Sequence, residues 1–122
     1  MAQRDAMRRS ASQFLRPGET IQAVFAGRIV IPMDTGPALP AMLNSIADRH
    51  RIIAVTDQRI LVLRSGLFQR TARSMLTGLS RSRRIGPPSG LRYVVRLGPE
   101  KVRIARRFFP DVEAADNYLA SG

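Results

Sequence analysis

A chain of 122 residues, 44% of them hydrophobic, is the size of one domain with one core. Its net charge of +11 comes from 20 bases against 9 acids, and every base except Lys101 is arginine. The lack of cysteine excludes disulfides and thiolate metal sites, and no apolar run approaches the ~20 residues of a membrane helix.

A GC-rich genome would favour arginine over lysine, but it would not create the excess of base over acid. That excess is local. From Arg64 to Arg107 there are twelve bases and a single acid, Glu100, whereas residues 108–122 hold three acids and no base. The first residues carry arginines with no apolar stretch behind them, so no secretory signal is expected. The expected location is the cytoplasm, with peripheral attachment at the inner face of the membrane as the variant that the positive field allows.

In chain order, residues 2–15 read as a helix, with Met7, Ala11, Phe14 and Leu15 near one face. This segment is expected either to pack on the domain or to swing out toward a partner. Arg16-Pro17-Gly18-Glu19 stops it, and residues 16–122 form one domain. Thr20 to Ile31 reads as a strand in which Gly27 marks a bulge or a close approach of backbone. Pro32, Gly36, Pro37 and Pro40 make a loop, after which Leu39, Met42, Leu43 and Ile46 recur at the spacing of a short inserted helix, residues 38–47.

Residues 51–64 carry the clearest pattern. Two apolar, β-branched runs, 51–55 and 60–64, flank Thr56-Asp57-Gln58-Arg59 and predict a hairpin covered on both faces. Short strands are expected near 67–71 and 79–85, and then Gly86-Pro87-Pro88-Ser89-Gly90 turns the chain. A second hairpin follows: Leu91, Tyr93, Val95 and Leu97 face inward, with Arg92 and Arg96 outward, and 101–106 alternate again after Gly98-Pro99-Glu100. Pro110 opens a C-terminal helix with Asp111 and Glu113 in its first turn. Val112, Ala115 and Leu119 form its apolar stripe, with the Phe108-Phe109 pair as anchor. The expected fold class is mainly β with capping helices, a curled antiparallel sheet or small barrel.

Four phrases carry a family likeness: Leu15-Arg16-Pro17-Gly18-Glu19; Ile53 through Leu63; Leu79-Ser80-Arg81 with Ile85 through Leu91; and Arg106-Arg107-Phe108-Phe109-Pro110 through Asp116. Together they resemble the bacterial pleckstrin-homology-like (PH-like) domains, especially the short actinobacterial members. The resemblance implies two nearly orthogonal antiparallel sheets, about seven strands in all, with the C-terminal helix closing one end. It implies no activity: such domains look like binding scaffolds. The insert at 32–48 is longer than the usual loop between the first two strands.

For catalysis there is little material. His50 is the only histidine, no metal-ligand spacing is present, and the prolines of 86–90 cannot donate to a phosphate. Neither enzyme, metal nor cofactor is expected. Anion binding has two candidate sites. In eukaryotic relatives of the fold, basic residues flanking the first loop grip inositol phosphates, and the resemblance places Arg28, Arg49 and Arg51 there. Arg49 and Arg51 are two apart and so share a side of a strand, and guanidinium forks suit phosphate. The second candidate is the outer face of the late hairpin: Arg92, Arg96, Lys101 and Arg103, joined by Arg81, Arg83 and Arg84. An acidic protein partner is the first expectation for the ligand, anionic lipid headgroups the second and nucleic acid the third. Tyr93 is out of phase with the arginines, which counts against base stacking.

Overall fold

The computed structural model describes residues 2–30, 50–65, 72–90 and 92–121. In chain order they form α1 (Ala2–Ala11), a 3-10 turn (Ser12–Phe14), β1 (Ile21–Ile29), β2 (His50–Thr56), β3 (Arg59–Ser65), β4 (Ala72–Ser80), β5 (Arg92–Leu97), β6 (Glu100–Ala105), a second 3-10 turn (Arg106–Phe108) and α2 (Phe109–Ser121). The six strands make one curled antiparallel sheet, ordered β4-β3-β2-β1-β6-β5.

β1 joins the two halves of the sheet. It pairs with β2 from Ile21 to Arg28, while its end, Gly27 to Ile29, also pairs with β6. Gly27 allows this junction: a Cβ there would lie 2.5 Å from Val102 Cγ1 and 2.9 Å from the Arg103 carbonyl oxygen. The glycine is therefore a close approach of backbone, and the register shift in β1 falls earlier, between Ile21 and Ala23. At the far edge the sheet curls until the β5–β6 turn meets β4. A Cβ on Gly98 would stand 3.2 Å from Thr77 Cγ2, and the Arg83 guanidinium donates to the Arg96 carbonyl. Gly98 is the first residue of the two-residue loop and sits at φ 65°, the sign that tight hairpin turns require.

The core is built by β1, β2 and β3. Phe25, Ile52, Ile53, Ile60, Leu61 and Leu63 are all fully buried. Every residue of β2 is buried, as in a strand covered on both faces. α1 packs on β1, β2 and β4, with Met7 and Ala11 inaccessible to solvent, and α2 packs on β1 through Val112 and Ala115. The N-terminal helix is thus seated on the domain, and Arg4 forks onto Asp111 of α2 at 2.9 and 3.1 Å.

The likeness-bearing phrases Arg16-Pro17-Gly18-Glu19 and Thr56-Asp57-Gln58-Arg59 meet in space. Glu19, buried, takes the Arg59 guanidinium at 2.9 and 3.1 Å, the Thr56 hydroxyl at 2.6 Å and the Arg16 N–H at 2.9 Å. Beside it, Thr20 N–H donates to the Asp57 carboxylate and Asp57 N–H donates to the Thr20 carbonyl. This network staples the β2–β3 turn to the chain entering β1.

Two expectations change. Residues 72–80, which show no alternation, form β4, an edge strand exposed along much of its length. The strand expected over 79–85 stops at Ser80. Ile85 is buried in a non-repetitive segment, and its N–H and that of Gly86 go to the Asp116 carboxylate at 2.9 and 2.8 Å instead of to a ladder. The expected strand near 67–71 and the inserted helix at 38–47 lie outside the described residues.

Candidate functional site

The two basic groups inferred from sequence are redistributed by the fold. Arg51 is buried, with 4% of its side chain exposed, and its Nε and Nη2 fork onto Glu100 at 3.1 and 2.9 Å. Its Nη1 donates to the His50 carbonyl. That corrects its placement among free loop cations: Arg51 is in a structural pair joining β2 to the start of β6. Arg49 lies outside the described residues. Arg28 is exposed near the end of β1.

Arg81 is also committed to the fold. It donates to Gln22 Oε1 at 2.9 and 3.1 Å and to the Ala115 carbonyl at 2.7 Å, tying the end of β4 to β1 and α2. Burial pushes its guanidinium below the ordinary arginine value, opposed by nearby Asp116. Arg83 and Arg84 are exposed, and Arg83 bridges to β5. Arg92 opens β5 opposite Ala105.

The remaining cations converge. On β6 the alternation puts Val102 and Ile104 in the core and Lys101 and Arg103 outside, and Arg96 faces Lys101 across the hairpin. Val94, opposite Arg103, is 45% exposed, so one apolar side chain sits among the bases. Glu100, the one acid of this span, has its carboxylate on Arg51 and does not oppose them.

Arg103 has a second neighbour, because β6 lies between β5 and β1. Arg28 is its register partner on β1, so two residues assigned from sequence to different patches stand side chain to side chain, roughly 5 Å apart at Cβ. The 3-10 turn after β6 then brings in Arg107, whose guanidinium lies 4.8 Å from the centre of the buried Phe108 ring. Arg28, Arg103 and Arg107 line a cleft of about 270 Å³ together with Ala26, Gly27 and Ala105, and Phe108 completes the lining. Sequence reading placed Arg107 in the charge run and in a likeness-bearing phrase but not among the candidate anion binders; its signal was a base beside an aromatic pair where a strand gives way to a helix.

Tyr93 turns away from this surface. Its hydroxyl donates to the Ile85 carbonyl at 2.8 Å, and its ring stands edge-on to Phe109 at 6.5 Å. Among the described residues no helix is long and apolar enough to cross a membrane, and no group of three His, Cys, Asp or Glu side chains is placed to hold a metal. Comparison with models of protein families, with curated proteins and with solved structures gives no match to this chain.

Proposed function

We propose that the chain is a non-catalytic binding module of the PH-like kind that docks an acidic protein partner on the outer face of the β5–β6 hairpin. The observation that carries this is the pairing of Glu100 with Arg51. It removes the only acid between Arg64 and Arg107 from the hairpin's outer face and leaves Arg96, Lys101 and Arg103 around the exposed Val94. One-signed charge attracts an acidic surface and speeds encounter, and an apolar residue within it suits a protein better than a polyanion. Nucleic acid is disfavoured by the inward turn of Tyr93, because sheets that grip single strands present stacking rings. Lipid binding through the first loop is weakened by the commitment of Arg51.

Support for the PH-like reading comes from connectivity. A four-strand meander, β1 to β4, and a separate hairpin, β5–β6, share only the end of β1, and a terminal helix packs on that shared strand. On the PH-like reading, these halves of the one six-stranded sheet are the counterparts of the two near-orthogonal sheets.

The test is charge reversal at Arg96 and Lys101 together. The immobilised wild-type chain, exposed to lysate of its own host, should retain an acidic protein that elutes with salt, and the Arg96→Glu, Lys101→Glu variant should retain none. Equal retention by the variant would refute the docking face.

A further inference from the structure

We propose a second site, distinct from the docking face although it shares Arg103: the cleft of Arg28, Arg103 and Arg107 binds a phosphomonoester dianion.

Like charges directly opposite each other on a sheet destabilise it, yet Arg28 and Arg103 are register partners. Among the described residues neither makes a side-chain hydrogen bond or ion pair. The acids nearest in sequence to Arg103 and Arg107 are committed elsewhere. Glu100 is forked on Arg51, and Asp111 is forked on Arg4 at 2.9 to 3.1 Å. Among the described residues, three cations are thus assembled with no counter-charge beside them, an arrangement that an anionic ligand completes.

The third cation is steadied for the same task. Arg107 stacks on Phe108, and a stacked guanidinium keeps its in-plane N–H donors available. Small residues border the space: Ala26, Gly27 and Ala105 line a volume of about 270 Å³. The cleft is smaller than the ~300–1,000 Å³ typical of sites for drug-sized ligands, so it takes a phosphoryl group with a small attachment.

The donor set selects the anion. A carboxylate brings two oxygens and one charge. A phosphomonoester brings three terminal oxygens and a charge of roughly −1.5 to −2, which matches three forked donors better. The same chemistry occurs in a free phosphorylated metabolite and in a phosphomonoester lipid headgroup.

Isothermal titration with inorganic phosphate, against chloride at equal ionic strength, is the test. The wild-type chain should show saturable binding, and Arg28→Gln with Arg107→Gln should weaken it on the order of tenfold or more. That double variant should unfold close to the ligand-free wild type, because relief of the Arg28–Arg103 repulsion offsets the lost stacking of Arg107 on Phe108; this separates lost binding from lost fold. The Arg96→Glu, Lys101→Glu variant should still bind phosphate, so the docking face and the cleft can fail independently. Co-sedimentation with vesicles containing phosphatidic acid but not phosphatidylglycerol would assign the lipid source; phosphate binding without co-sedimentation would assign a soluble one. No saturable binding beyond chloride, or binding unchanged in the double variant, would overturn the proposal.

Discussion

Replacing Glu19 by Gln should uncouple the β2–β3 turn from the chain entering β1, and its size follows from the site. The Glu19 side chain is fully buried and Arg59 is 13% exposed, so solvent screens the pair little. The Arg59 guanidinium, helped by Thr56 and the Arg16 N–H, holds the carboxyl down at about 2 against burial, from an ordinary 4.5. At about 1.4 kcal/mol per unit, that shift amounts to roughly 3 kcal/mol in favour of the folded, ionised state. Breaking a buried pair from one side generally costs about 3–5 kcal/mol, in agreement. Because the folded-state value is depressed, the contribution is fully present above about pH 4.5. It is lost as pH falls through about 2, where both folded and unfolded states are protonated. Urea unfolding should therefore place Glu19→Gln about 3 kcal/mol below wild type at neutral pH, with the gap closing between about pH 4.5 and 2. A gap that stays constant through this window would show that the carboxylate charge is not what holds the turn, and the assignment of the network would fall. A double-mutant cycle with Arg59→Gln isolates the pair: the coupling should vanish at the acid end.

Two other substitutions probe how the cleft and the late segment are held. Asp116→Ala removes the acceptor for the N–H groups of Ile85 and Gly86. It should cost about 2–4 kcal/mol and speed amide hydrogen exchange at those two positions more than in β2, whereas uniform acceleration would contradict a local clamp. Gly27→Ala inserts a Cβ against the backbone of β6. It should cost about 1–3 kcal/mol and weaken phosphate binding by shifting Arg103, while unchanged melting and binding would contradict the close approach.

Much of the fold was legible because its signals are local. Alternation in 92–97 and 101–105, the apolar runs of 51–55 and 60–64, and Pro110 with its acidic first turn each report on neighbours a few residues away. β4 was not legible. Its covered residues, Ala72 and Ser74 and then Thr77 and Leu79, change phase at the bulge by Met75 and Leu76, which are 45% and 39% exposed, so no single two-residue period runs along the strand. Residues 81–90 misled for the opposite reason: Ile85 looks like part of a strand, but its backbone is satisfied by Asp116, a side chain on α2.

The candidate site divides in the same way. Sequence alone determined that the middle of the chain is an uncompensated run of positive charge, that its bases alternate outward on a hairpin, and that Gly27 marks a bulge or a close contact. These follow from composition and from the two-residue period of a strand. Which bases are free was decided only in three dimensions. Arg51 and Arg81 look no different in sequence from Arg28 and Arg103, yet the first two are fixed by Glu100, Gln22 and the Ala115 carbonyl. The other two become neighbours because β6 adds to the end of β1. A strand's period says which way a side chain points, but not which strand lies beside it. That choice belongs to the closing of the sheet around its core, and here it decides which arginines meet.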